Sequence, residues 1–149
     1  MGHRMINFLT FNVRSLSERS RQIDLINTLK NNEIDICFIQ ECRFKRRKNI
    51  LLNNYSFLCD NSTVGVAIAI KNTISYSRIN IDNLGIHGTF IQMEINKDNN
   101  RKKVLLGSLY IKCNSPTTAL RKNLDKILHV ASGFDFFLLG GDLNSKNTN

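Results

Sequence analysis

Residues 134–144 read FDFFLLGGDLN, and few stretches leave a chain less choice of structure. Phe134, Phe136, Phe137, Leu138 and Leu139 crowd five apolar side chains into six positions and leave no polar face. Such density predicts a strand buried on both sides. Gly140 and Gly141 are expected to end it, since glycine permits a sharp turn or the close approach of another group. Asp142 and Asn144 then follow at the tip. Taken alone, Asp-Leu-Asn after a strand reads most simply as a turn, because Asp and Asn favour turns. The pattern recurs, however. Met5–Asn12 (MINFLTFN) is an apolar run ending on an amide, Ile34–Glu41 (IDICFIQE) ends on a carboxylate, and Val104–Tyr110 (VLLGSLY) ends on a phenol. A buried strand with a polar tip is a rigid mount for chemistry. If these runs are neighbours in one sheet, Asn12, Glu41, Tyr110, Asp142 and Asn144 converge.

The segments between them fill in an α/β pattern. Ser15 and Glu18 have the spacing of a capping box that opens a helix. Ile23, Ile26 and Leu29, with Leu25 beside them, give that helix an apolar face up to about Asn31 and Asn32. Strand, helix and strand in succession place the first two strands parallel or at least in one sheet. Residues 54–60, 64–71 and 89–96 read as further strands, and the polar stretch 98–103 as a turn that makes a hairpin with Val104–Tyr110. Ser115 and Pro116 suit an N-cap and first helical position. Leu120, Leu124, Ile127, Leu128 and Ala131 then trace a buried stripe, which Ser132 and Gly133 stop. About eight strands are too many for a simple doubly wound sheet, so two packed sheets with helices outside are expected. The 149 residues suffice for one domain with a real core.

Charge narrows the partner. Lys and Arg number 21 against 12 acidic residues, a net charge of +9, which points to a polyanion, either nucleic acid or an anionic membrane surface. The run RFKRRK, residues 43–48, sits directly after Glu41. Most such runs are solvated surface, and a short basic cluster also resembles a nuclear-localisation signal. Beside Glu41 it could instead hold a phosphate backbone. Cys37, Cys42, Cys59 and Cys113 form no CxxC pair, and Cys37 lies inside an apolar run. That usage suits free thiols in a reducing, intracellular compartment and no structural zinc. The N-terminal residues lack a long apolar signal core, and no apolar run reaches membrane-spanning length, so no membrane partner is expected. His87, between Gly85 and Gly88, reads as a loop residue, and His129 as a packing or surface residue of the second helix.

The segments FNVRSL (11–16), DICFIQE (35–41), GVAIAIK (65–71), LYIKCNSP (109–116) and GGDLNSKNT (140–148) together resemble the endonuclease/exonuclease/phosphatase family. More narrowly, they resemble the endonuclease domain at the start of the polymerase protein of jockey-type non-LTR retrotransposons. The resemblance spans nearly the whole chain, taken as one domain over residues 1–149. It implies a four-layered α/β sandwich, incomplete at the C-terminus, and an Mg²⁺- or Mn²⁺-dependent hydrolysis of phosphodiesters that nicks DNA. It also implies a nuclear setting, with element RNA and a reverse transcriptase as possible partners in a longer protein. Carried across position by position, Glu41 would ligate the metal and Asn12 would support it. Tyr110 would contact the scissile phosphate, Asp142 would orient or deprotonate the attacking water, and Asn144 would position the phosphate. Arg14, Arg43, Lys45, Arg46, Arg47 and Lys48 would hold nucleic acid. The chemistry is coherent without the family: Mg²⁺ takes one or two carboxylates with water and phosphate, and a second carboxylate can serve as base.

One departure is large. The family's last strands, with an Asp-His pair, have no counterpart, and Asn147 stands where retrotransposon relatives often carry histidine. This implies that the chain by itself is not a working nuclease. Competing readings are an abasic-site repair nuclease, a phosphoesterase of lipid or inositol phosphates, and a non-catalytic nucleic-acid-binding remnant.

Overall fold

The structure is a computed structural model that describes residues 5–44, 50, 52–97 and 99–144. Its first half forms one sheet. β1 (Phe8–Asn12) and β2 (Ile36–Gln40) pair in parallel through the crossover helix α1 (Arg19–Asn31). β3 (Tyr55–Cys59) and β4 (Ala67–Lys71) add an antiparallel pair, giving the order β1-β2-β4-β3. The second half repeats the scheme. β5 (Tyr76–Ile79), β6 (His87–Lys97) and β7 (Asn100–Tyr110) form an antiparallel meander. The helix α2 (Thr117–Ala131) then carries the chain to β8 (Phe136–Asp142), parallel to β7, in the order β5-β6-β7-β8.

The sheets stack with β1 near β8, β2 near β7 and β8, and β4 near β6. Between them lie Ile36, Phe38, Ile68, Ile70, Ile91, Met93, Val104 and Leu106. Leu25 and Leu29 of α1 cover the outer face of the first sheet, and Ile127 and Ala131 of α2 cover that of the second. Helix, sheet, sheet and helix make the expected four-layered α/β sandwich. Period-2 alternation explains how one strand serves two cores: in β2, Ile36 and Phe38 face the other sheet, while Cys37 and Ile39 face α1.

Several local expectations are corrected. Ser15 does not cap α1: its Oγ accepts from Ser17 N at 3.2 Å, and Glu18 precedes the helix without a side-chain cap. Ile23 is 47 % exposed, because it lies about 200° around the helix from Leu25, which took the core position. In α2, Asn123, Ile127 and Ala131 share the buried stripe at spacings of four, and Leu128 is left 50 % exposed. Asn123 is tolerated there because its Oδ1 accepts from Gly85 N at 2.7 Å and its Nδ2 donates to Ala119 O at 2.8 Å. Pro116, not Ser115, occupies the N-cap. The polar turn before β7 is short, since Asn100 to Lys103 already belong to the strand. β5 was not foreseen.

β8 differs most. It does not stop at the glycines but runs through Gly140 and Gly141 to Asp142. A Cβ on Gly140 would lie 2.8 Å from Phe38 Cγ, so glycine serves close approach of the two sheets rather than a turn. Nor is β8 buried on both sides. It is the edge strand, and Phe136, Phe137 and Leu138 remain 41 %, 50 % and 40 % exposed.

Candidate active site

The four polar strand tips meet because both sheets point their parallel pairs the same way. β1 and β2 in one sheet, and β7 and β8 in the other, end together at one mouth of the sandwich, with Asn12 opposite Gln40 and Tyr110 opposite Asp142. Strand C-terminal ends are the usual location of ligand sites in α/β folds. Asn12, Glu41, Tyr110, Asp142 and Asn144 therefore converge, but from two facing sheets rather than from one.

Asn12 joins the two acids. Its Nδ2 donates to Glu41 Oε1 and to Asp142 Oδ2, each at 2.9 Å, and its Oδ1 accepts from Arg14 N at 3.1 Å. Asp142 is fixed at both oxygens, since Oδ1 accepts from Asn144 N at 3.0 Å. Asn144 Nδ2 donates to Ile111 O at 2.7 Å, and Ile111 N donates to Asp142 O at 3.0 Å, which ties the tip of β8 to β7. Glu41 Oε2 pairs with the exposed Arg43 guanidinium. The cleft beside these groups encloses about 480 Å³ and is lined by Thr10, Asn12, Gln40, Gly141, Asp142 and Asn144, with Leu143 at its edge.

The backbone around the mouth is held in unusual conformations. Arg14, Glu41, Arg43 and Asn144 have φ of 54°, 58°, 45° and 44°, in the left-handed region that costs such residues roughly 1–3 kcal/mol each. Neighbouring bonds hold the turn after β2: Cys42 N donates to Gly65 O at 2.9 Å and Leu16 N to Cys42 O at 2.7 Å. Gly65 sits at φ 71°, and a Cβ there would lie 2.9 Å from Cys42 Cβ. Cys42 is buried, and its contact with Cys59 together with burial pushes its thiol pKa up. Burial likewise raises Cys37 to about 12. All four cysteines are free.

Two features escaped sequence reasoning. Gln40 is 1 % exposed under the cleft and donates through Nε2 to Ser108 Oγ at 3.2 Å and Thr10 Oγ1 at 3.4 Å. Ser108 Oγ donates to Ile39 O at 3.3 Å, which completes a polar floor that clamps the sheets together. The available signal was a polar residue inside each apolar run, Gln40 in DICFIQE and Ser108 in VLLGSLY. His87 is the second. It is not a loop residue but opens β6 opposite Tyr110, with ring centroids 6.3 Å apart. His129 is exposed on α2, whereas His3, Lys45, Arg46, Arg47, Lys48 and Asn147 lie outside the described residues.

No cluster of three or more His, Cys, Asp or Glu that could hold a metal occurs among the described residues. The hard oxygens at the mouth are those of two carboxylates, Glu41 and Asp142, while Asn12 turns its N–H bonds to them. That set falls short of a zinc site and suits a cation that keeps water and substrate oxygens in its shell. No helix of the described residues is long and apolar enough to cross a membrane.

The endonuclease domain of TRAS1, a telomere-specific non-LTR retrotransposon, superposes with a TM-score of 0.68 at 17 % identity, covering 96 % of this chain and 62 % of that one. The D. rerio TDP2 structure complexed with single-strand DNA product gives 0.62 at 14 % identity, covering 95 % and 62 %. An endonuclease/exonuclease/phosphatase from Bacteroides vulgatus gives 0.69 at 14 % identity, covering 97 % and 67 %. At such identities the likeness is one of fold, and the chain spans about 62 % of the length of the first two. No curated protein matches it in sequence. The sequence profile of the Endonuclease/Exonuclease/phosphatase family, in contrast, matches residues 9–148. With that match across nearly its whole length, on this sandwich and with these strand tips, the chain belongs to the endonuclease/exonuclease/phosphatase family.

Proposed function

We propose that this mouth is the active centre of a DNA-nicking endonuclease of the retrotransposon kind, working with Mg²⁺ or Mn²⁺. The observation that carries the reading is the Asn12 amide, which brings Glu41 and Asp142 to 2.9 Å on either side of one nitrogen. Glu41 is the metal ligand, assisted by Asn12, and among the described residues the exposed Arg43 is the cation that competes for it. When bound there, the ion neutralises phosphate charge and stabilises the leaving oxygen. Asp142, oriented at both oxygens by Asn12 and Asn144, aligns the attacking water and accepts its proton. Tyr110 donates from its hydroxyl to the phosphate. Asn144 has one side-chain N–H committed to Ile111 O and turns the other toward a phosphate oxygen. Arg14, Arg43 and the basic residues 45–48 hold the DNA backbone, and the setting we infer for this work is the nucleus. Element RNA and a reverse transcriptase are its partners in a longer protein.

We also propose that residues 1–149 alone are a poor catalyst. Among the described residues nothing covers Phe136, Phe137 and Leu138 on the β8 edge, and such an edge invites aggregation. Of the described histidines, His87 lies beside Tyr110 and His129 on α2, so neither supplies the phosphate-side group that the family resemblance implies. Losing one preorganised group of that sort costs about 10²–10³ in rate. The test is plasmid nicking with Mg²⁺ by the purified chain, by its Asp142→Asn variant and by the TRAS1 endonuclease domain. We expect the chain to nick at least about 10²-fold more slowly than TRAS1, with the residual activity absent from Asp142→Asn. Activity that survives in the variant refutes the site, and a rate equal to that of TRAS1 refutes the proposed handicap.

A further inference from the structure

The two sheets are in register strand for strand, so the mouth is a row rather than a point. Along the second sheet the inward-facing residues at this end are Asp142 on β8, Tyr110 on β7 and His87 on β6. Arg78 on β5 stands opposite Ile91, an inward-facing core residue, and so faces the same way. Tyr110 pairs with His87, four residues along β6 from Ile91, so with strands about 4.8 Å apart and a rise of about 3.3 Å per residue Arg78 lies two spacings across and four residues along from Tyr110, roughly 16 Å between Cα atoms. Across from it, β3 ends at Cys59, whose carbonyl accepts from the Arg78 guanidinium at 3.2 Å. A separate cleft of about 210 Å³ opens at this corner, lined among others by Asp60, Arg78, Asn80 and His87. Thr89 Oγ1 donates to Val66 O at 2.6 Å and closes its floor.

We propose that this corner is a second phosphate subsite, which takes a backbone phosphate of the nucleic acid flanking the scissile one. The inference rests on the proposed function in identifying that phosphate with DNA. Arg78 is exposed and pinned over the cleft by one N–H, and among the described residues its other N–H donors take no partner, which leaves them for an anion. It has no ion pair among the described residues. The one acid in the cleft, Asp60, is occupied instead by the protein: its Oδ1 accepts from Ser62 N, Ser62 Oγ and Val66 N at 3.3, 2.8 and 2.9 Å. Its charge still opposes an anion, so the phosphate sits on the Arg78–His87 side. His87 lines the corner and sets its ring beside that of Tyr110, which pairs with Asp142. A strand that enters at Asp142 and follows this flank therefore passes Tyr110 and then His87 before it reaches Arg78.

The experiment uses the full 149-residue chain and a fluorescent six-nucleotide oligothymidylate, without added metal, over a range of salt concentrations. Arg78→Gln is expected to weaken binding about threefold to tenfold and to flatten the log-affinity against log-salt slope by about 0.7. Asp60→Asn retains the Oδ1 acceptor and is expected to tighten binding, whereas Lys122→Gln on α2 leaves affinity at the Arg78 level of the parent chain. If the parent chain binds and Arg78→Gln changes neither affinity nor slope, the subsite is overturned and the nuclease reading stands. Inorganic phosphate supplies the second arm, read by NMR at the His87 ring and the Arg78 side chain. Shifts at both, lost in Arg78→Gln, are expected. Such shifts without oligonucleotide binding keep the subsite and sink the DNA reading, and their absence overturns the subsite.

Discussion

Both N–H bonds of a single carboxamide, Asn12, hold Glu41 and Asp142, so the two acids share geometry but not environment. Asp142 is tied to backbone on its far side and Glu41 to an exposed cation, which makes them separable by substitution. Glu41→Gln should lower Mg²⁺ affinity, because an amide oxygen carries no net charge, while Asp142→Asn should leave it near the parent value and remove turnover. Calorimetric Mg²⁺ titration of both variants decides this, and equal losses would mean that the two roles are assigned wrongly. Arg43 gives the opposite sign. Its side chain is 56 % exposed and competes for Glu41 Oε2, so Arg43→Gln should raise Mg²⁺ affinity by about twofold to fivefold. A fall in affinity would show that Arg43 helps to shape the ligand rather than block it.

At the scale of elements, the tightest constraint is the passage of Phe38 over Gly140. A methyl group there would sit 2.8 Å from Phe38 Cγ, so Gly140→Ala should destabilise the fold by roughly 1–3 kcal/mol, read from the urea midpoint. An unchanged midpoint would mean that the sheets can slide apart at no cost. The same contact shows where sequence reading succeeds and stops. Apolar runs and their polar tips are local, and they were enough to place Asn12, Glu41, Tyr110, Asp142 and Asn144 at one end of a two-sheet core. What Gly140 does depends on Phe38, a hundred positions away, and no local pattern reveals it. His87 reads as loop because glycines flank it nearby, and becomes a site neighbour only through the β6–β7 register. β5 is Tyr-Ser-Arg-Ile, too short and too polar to stand out, and its arginine reaches the end of β3 in the other sheet. Leu128 and Ile23 were misplaced because helical spacing admits several stripes and packing chooses among them.

For the molecule as a whole, charge and edges set behaviour in solution. The net +9 includes the run 43–48, of which Arg43 and Phe44 are described and the rest is not. Neutralising Arg43, Lys45, Arg46, Arg47 and Lys48 should flatten the salt dependence of duplex DNA binding by about 0.9 per lost phosphate contact. An unchanged slope would make the run a solvated face only. β1 and β8, the edge strands of their sheets, lie side by side, and Phe8, Phe11, Phe136, Phe137 and Leu138 stay exposed along that flank. The bond from Asn12 to Asp142 also spans 130 positions of sequence. During synthesis, Glu41 and Asn12 can meet as soon as β2 has left the ribosome, but Asp142 arrives only with β8, after both sheets have been threaded. A nascent chain on the ribosome would thus carry one half of this bonded cluster long before the other half reached it, and interrupted translation would release proteins whose mouth is formed from one sheet only.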